Sequence, residues 1–184
     1  MDSDLPHLTR PALRWMPSFI AALHEGYSRD TNRAEDPAEI ARIEADPDGF
    51  IAALLGPPPA TITLPDGTVA PRVAETLLWY VEGDDFIGSI SIRHSLTPYL
   101  ARFGGHIGYV VRPSRRRQGH AMRILTSGLA RARDEIGLAR VLLTVKSGNI
   151  ASRKVIIAHG GVFADAEPHP HAPGEMLERH WIGL

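Results

Sequence analysis

Residues Gly105–Ile136 read GHIGYVVRPSRRRQGHAMRILTSGLARARDEI, and this stretch decides the fold. His106–Val111 is rich in β-branched and aromatic residues, which suit a pleated, half-buried surface. Arg112-Pro113 closes it, because proline has no N–H to give to a ladder. From Gln118 the period changes. Met122, Leu125, Leu129, Ala132 and Ile136 fall three and four residues apart, which predicts one apolar face of a helix. Gly137 stands where a helix C-cap belongs. The order is strand, tight basic loop, helix.

The loop carries the chemistry. Arg116-Arg117-Gln118-Gly119-His120-Ala121 sets a glycine and a small residue two apart at a helix N-terminus. The first N–H groups of a helix lack internal partners, and the helix dipole adds partial positive charge. Gly119 and Ala121 let an anion come close to the backbone. Arg112, Arg115, Arg116, Arg117 and Arg123 add further charge, so the loop suits phosphate, above all a pyrophosphate. It is not a nucleotide loop of the GxxxxGK[ST] or GxGxxG kind. The plain alternative is a strand–helix turn with solvated arginines.

The whole chain sets bounds. Its 184 residues suit one domain with a real core. With 43% hydrophobic and 22% charged residues it has an ordinary globular composition. No apolar run approaches the ~18 residues of a membrane span. The first residues, MDSDLPHLTR, lack the apolar segment of a secretory signal, so a cytoplasmic location is expected. The absence of cysteine excludes disulfides, thiolate metal sites and a cysteine nucleophile. A net charge of −1 makes the arginine cluster local and argues against a nucleic-acid partner. His169-Pro170-His171 sits in a proline-rich turn with no third ligand in view, so no metal is expected.

Outward from the deciding stretch, other elements follow. Leu8–Arg10 suits a short strand, and Pro17–His24 a helix with Gly26 beyond it. Asp30–Asp36 reads as a loop. Pro37 opens a second helix with Ile40 and Ile43 inward. Asp46-Pro47-Asp48-Gly49 either interrupts it or separates a further helix carrying Phe50, Ile51, Leu54 and Leu55. Residues 56–74, with a turn at Pro65-Asp66-Gly67, read as a long loop. Glu75–Val81 and Phe86–His94 form a hairpin, and Ser95–Phe103 is a connection. Ala139–Val145 is a near-continuous apolar strand, as in the middle of a sheet. Asn149 caps a short helix, Ile150–His159, closed by Gly160-Gly161. Val162–Ala164 and Arg179–Ile182 complete a terminal hairpin with its tip at 167–174.

Arg116-x-x-Gly119-x-Ala121, preceded by Val111 and Pro113, resembles motif A of the GNAT superfamily of N-acetyltransferases. The strand, Asn149, helix and glycine that follow resemble its motif B. SIRHSLTPYL, GGHIGYVVRPS, NIASRKVI and RHWI are similar to phrases in a group of predicted bacterial acetyltransferases without a known substrate. The resemblance covers 75–184 well and the N-terminal helices loosely.

The resemblance implies an α/β GNAT (acyl-CoA N-acyltransferase) fold, a mixed sheet with splayed central strands flanked by helices. One domain would span 1–184, with 75–184 its core and 1–74 the N-terminal helices and long loop. It implies acetyl-CoA as co-substrate. The acetyl group would pass to a primary amine of a small molecule or of a peptide or protein, by direct attack in a ternary complex. The alternative is a non-catalytic acyl-CoA-binding or sensing module. Pantetheine would enter between strands 106–111 and 139–145, on the backbone of Val110 and Val111 beside Tyr109. Arg116, Arg117, Gln118, Gly119, His120, Ala121 and Met122 would hold the pyrophosphate. Asn149 and Ser152 would meet the pantetheine end, while Lys154 either reaches the 3′-phosphate or lies on a solvated face.

Many relatives carry a glutamate on the first of these strands and a tyrosine seven residues after the asparagine. Here Gly105-His106 and Ile156 stand in those neighbourhoods. The catalytic candidates are therefore His106 and His94 as bases, by their pKa range, and Tyr109 as proton donor. Each has an ordinary packing role as its alternative. The acceptor site is expected from the 56–74 loop, the N-terminal helices and 94–104. The terminal hairpin and a sheet edge are candidate homodimer surfaces.

Overall fold

The computed structural model describes residues 5–29, 33–64, 67–170 and 172–184. In chain order the elements are β1 (His7–Thr9), α1 (Met16–His24), α2 (Pro37–Ala45), α3 (Pro47–Leu55), β2 (Thr61–Thr63) and β3 (Val69–Pro71). They continue with β4 (Glu75–Glu82), β5 (Asp85–Arg93), α4 (Pro98–Phe103), β6 (Ile107–Val111), α5 (His120–Asp134) and β7 (Arg140–Lys146). Last come α6 (Ile150–Ala158), β8 (Val162–Pro168) and β9 (Met176–Gly183).

Local chemistry sets the helix ends. Asp36 and Glu39 form a capping box at the start of α2, with Pro37 in the first turn. Asp46 both ends α2 and accepts from the Gly49 N–H at 2.9 Å, so the interrupted helix is two helices. The end of α5 is a Schellman turn. Gly137 has φ +79°, Leu138 N–H donates to Ala132 C=O at 2.9 Å, and Gly137 N–H donates to Arg133 C=O.

The buried face of α5 differs from the one the spacing suggests. Ile124, Leu125, Gly128 and Ala132 are buried, while Met122 is exposed. Gly128 carries no apolar side chain to count. Ile90 occupies the space instead, its Cδ1 2.2 Å from where a Cβ would stand.

Three regions depart from expectation in extent. Residues 56–74 contain the small antiparallel hairpin β2–β3, apart from the main sheets. The 95–103 connection contains α4, whose cap Thr97 accepts from Leu100 N–H at 3.2 Å. Strands β8 and β9 are longer than the terminal hairpin read from sequence. Asp30 and its next two residues, the Pro65-Asp66 part of the turn and His171 lie outside the described residues. Among the described residues no helix is long and apolar enough to cross a membrane.

Two sheets carry the core. One runs β1-β4-β5-β6, all antiparallel, and the other β7-β9-β8. α5 covers one face of the first sheet with Ile124 and Leu125 against Ile90, Ile92 and Leu143. α1, α2 and α3 cover part of the other face, where Phe19 stacks on Trp79 at 4.7 Å between ring centroids. The strands β6 and β7 thus lie in separate sheets. They meet at His106, whose N–H donates to Leu142 C=O at 2.7 Å, and part beyond it. That divergence opens the site.

Candidate active site

The backbone of β6 decides what faces the gap. Arg93 N–H donates to His106 C=O at 2.7 Å, and Arg112 N–H to Ile87 C=O at 2.8 Å. With the pairs Ser91–Gly108 and Ser89–Val110 between them, the even-numbered residues bond to β5. The N–H and C=O of Ile107, Tyr109 and Val111 therefore turn the other way, toward the gap. Of the two residues expected to offer their backbone there, Val111 turns its N–H and C=O toward the gap, whereas the ladder engages the Val110 backbone; Val110 still lines the cavity. The Val110 side chain packs against the cluster under α1–α3.

A cavity of about 800 Å³ fills the divergence. It runs from Tyr109, Val110 and Val111 past Arg116, Arg117, Gly119, His120, Ala121 and Met122 to Asn149 and Ser152. Gly26, Ser28, Arg33 and Ala34, after α1, supply a wall that sequence reasoning missed. Gln118 is the proposed cofactor residue that does not line it; its amide donates to Ser114 C=O at 3.3 Å.

The loop is shaped as an anion cradle. Arg117 has φ +61° and is the one non-glycine in the left-handed region among the described residues. Gly119 follows at φ +81° as the N-cap of α5, with no side-chain cap on the helix. Left-handed residues alternating with ordinary ones turn successive N–H groups to one side, a concavity that suits phosphate. A Cβ at Gly119 would meet nothing nearer than Arg123 Nη2 at 4.0 Å. Conformation, not space, asks for glycine there.

The arginines divide into two sets. Arg112 is buried; it pairs with Glu25 at 2.6 Å and Asp85 at 3.0 Å. Arg115 pairs with Asp85 as well. The hydrogen bonds from Arg112 hold the Glu25 carboxyl at about 2, against the opposing effect of burial. Arg116, Arg117 and Arg123 form no ion pair among the described residues, and Arg116 and Arg117 line the cavity.

His120 contributes its backbone position more than its ring. The ring is buried against Tyr80, 6.0 Å between centroids, with Nδ1 unpartnered. Burial, with Arg123 adding to it, lowers its pKa.

The catalytic candidates part company. His106 is buried, and its Nδ1 accepts from Leu142 N–H at 2.9 Å. An Nδ1 that accepts leaves the ring proton on Nε2, and burial, then Arg93 and Arg140, lower the pKa of His106. His94 bonds Thr76 Oγ1 at 2.8 Å, and the register puts Thr76 with Ile92 on the α5 side. Tyr109 reaches across the gap, its hydroxyl 3.4 Å from Ser152 C=O on α6, and burial raises its pKa. Asn149 caps α6 by accepting from Ser152 N–H at 3.1 Å. Ile156 is in the core.

Another face of the first sheet was not legible as functional. Leu77, Ser91 and Gly108 share it by register, next to the part covered by α1–α3. Nothing lies within 4 Å of where a Gly108 Cβ would stand, so the floor is open. Glu75 borders it and accepts from Ser91 Oγ, with Arg72 at 3.5 Å and Arg93 at 3.9 Å. The alternation of Glu75, Leu77 and Trp79 is visible in the sequence. Which face they share with the gap is not.

Comparison with known proteins fits this architecture. YncA from Salmonella typhimurium, solved with its cofactor acetyl-CoA, superposes with a TM-score of 0.58 at 15% identity, covering 97% of this chain and 94% of that one. A chimera of the spermidine N-acetyltransferase SpeG from Vibrio cholerae and hSSAT gives 0.61 at 12% identity, covering 97% and 95%. At these identities the likeness is one of fold. A search of curated proteins finds no match to the sequence. The family model described as "Acetyltransferase (GNAT) domain" matches residues 29–162, well over half the chain. The splayed strands, the glycine-hinged basic loop and that match agree: this chain is a member of the GNAT acetyltransferases, an acyltransferase by family.

Proposed function

We propose that the protein transfers the acetyl group of acetyl-CoA to a primary amine by direct attack within a ternary complex. The observation that carries this is the continuity of one cavity, from the β6 backbone edge that turns away from β5 to the anion cradle at 117–121. The cradle and Arg116, Arg117 and Arg123 take the pyrophosphate. The pantetheine arm lies along the backbone of Tyr109 and Val111, with Asn149, Ser152 and Met122 beside it. A backbone N–H of β6 in the gap then faces the thioester carbonyl. Such a donor strengthens its hold as negative charge develops on that oxygen, an effect of about 3–4 kcal/mol in other enzymes.

The acceptor enters over Leu77, Ser91 and Gly108. Its nitrogen must be neutral to attack. At pH 7 that costs about 4–5 kcal/mol for a lysine-like amine and about 1–1.5 kcal/mol for an α-amine. Glu75 is the carboxylate bordering this floor, and we assign the proton-accepting role to it rather than to His106 or His94. His106 has no lone pair to offer, because its Nδ1 is bonded to the backbone. Tyr109 is the proton donor to the departing thiolate: it stands on β6, and its hydroxyl reaches to α6, the helix from which the family's usual tyrosine is missing. That a structural neighbour is named a spermidine N-acetyltransferase supports an amine as acceptor.

The test is thiol release from acetyl-CoA across a panel of polyamines, amino acids and peptides with free α-amines. Amine-dependent release, with the acetylated amine found by mass spectrometry, supports the reading. Binding of acetyl-CoA without transfer to any amine would overturn it.

A further inference from the structure

We infer that Glu25 is a positioning residue, which acts through Arg112 to fix the phosphate loop against the end of α1 before any ligand arrives. The inference rests on the reading of 116–121 as a pyrophosphate site.

Glu25 is poorly placed for its own helix. It is the C-cap of α1, where the dipole disfavours a carboxylate. Its oxygens instead accept from Arg112 Nε at 3.0 Å, from Arg112 Nη2 at 2.6 Å and from Ser114 N–H at 3.3 Å. The third nitrogen of Arg112, Nη1, turns to Ser18 Oγ at 2.9 Å and Asp85 at 3.0 Å. The guanidinium thus ties α1, the start of β5 and the end of β6 into one knot. Bidentate arginine–carboxylate geometry fixes orientation as well as distance.

The knot sits where the loop needs it. Arg112 is the last residue before the 3₁₀ turn Pro113–Arg115. Two residues beyond that turn, Arg117 holds a left-handed conformation that a side chain disfavours. Such strain persists only where the surroundings over-determine it. Ser114 is held by Glu25, Arg115 by Asp85, and Arg116 Nε by Val111 C=O at 3.2 Å. The neighbour of Glu25, Gly26, lines the cavity opposite the cradle. One carboxylate therefore sets the spacing between the two walls of the site, and it does so without touching the ligand.

The experiment compares coenzyme A with pantetheine, which lacks the pyrophosphate. Dissociation constants for both are measured on the parent, Glu25→Gln and Glu25→Asp, with circular dichroism to confirm the fold. Arg112 keeps Asp85 and Ser18 in the variants, so its charge stays paired. The expected result is about tenfold weaker coenzyme A binding by Glu25→Gln, by analogy with the loss when the partner of a metal ligand is removed. Pantetheine binding stays within about twofold by the same reasoning, and Glu25→Asp recovers part of the loss. Unchanged coenzyme A binding overturns the inference, as does a parallel loss for both ligands. A parent that binds no coenzyme A overturns the pyrophosphate reading itself and this inference with it.

Discussion

His106 and Leu142 hold each other by main chain and ring together. The His106 N–H donates to Leu142 C=O at 2.7 Å, and the Leu142 N–H donates to His106 Nδ1 at 2.9 Å. The pair does the work of one rung of a ladder between strands that belong to different sheets. It fixes the point from which β6 and β7 diverge, and so the closed end of the cavity.

Gly105 makes this approach possible. Its φ is +66°, and a Cβ there would stand 2.6 Å from Leu142 O, a backbone atom that cannot swing aside. Gly105→Ala should destabilise the fold by about 2–4 kcal/mol, from the disfavoured conformation and the overpacking together. Urea unfolding monitored by circular dichroism measures this. An unchanged midpoint would mean the strands can shift to make room.

His106→Ala should cost about 1–3 kcal/mol at pH 8, because the buried Leu142 N–H loses its partner. The pH dependence has a defined sign. The fold lowers the pKa of His106 from 6.5, so below that pH the unfolded chain binds more protons than the native one. Its contribution is full above about pH 6.5 and falls as the solution becomes more acid. The stability gap between parent and variant should narrow from pH 7 toward pH 5. Transfer activity in the surviving variant should keep its pH profile; a lost basic requirement would return the base role to His106.

Glu25 gives a second window, at lower pH. Its carboxyl is held at about 2 against an ordinary 4.5, so its stabilising contribution is present above 4.5 and is lost as pH falls toward 2. Parent and Glu25→Gln should differ in unfolding free energy by a constant amount above about pH 5 and converge below it. A gap that persists at pH 2 would contradict the ion pair.

Tyr109→Phe removes the hydroxyl near Ser152 and leaves the ring packing. If that hydroxyl protonates the thiolate, kcat should fall by about 10²-fold or more, with the midpoint of unfolding shifted by little. Because burial raises the tyrosine pKa, the parent should hold its activity to higher pH than an unperturbed phenol would allow. An active phenylalanine variant would leave water as the donor.

Much of this was legible in the chain itself. Periodicity marked the strand at 106–111, the basic loop and the long helix, because each obeys a local rule. Gly119 and Gly137 fell where positive φ requires them. The failures share a cause: they depend on partners distant in sequence. Arg112 read as one more phosphate-binding arginine, yet its partner Glu25 lies 87 positions away. His106 looked like a base until Leu142 took its nitrogen. Met122 fitted the apolar period of α5 better than Gly128, although the Ile90 side chain chooses Gly128. Glu75 could be placed on a strand face, but only the position of α1–α3 leaves that face open.

The most direct test is thermal unfolding with and without acetyl-CoA, run beside Gly119→Glu. A ligand at about 100 times its Kd stabilises the native state by roughly 2.7 kcal/mol, a rise of about 5–11 °C in Tm for a domain of this size. The account predicts that rise in the parent and its loss in a variant that still unfolds cooperatively, because the new carboxylate occupies the anion cradle. No rise in the parent at saturating acetyl-CoA, or the same rise in Gly119→Glu, would contradict it.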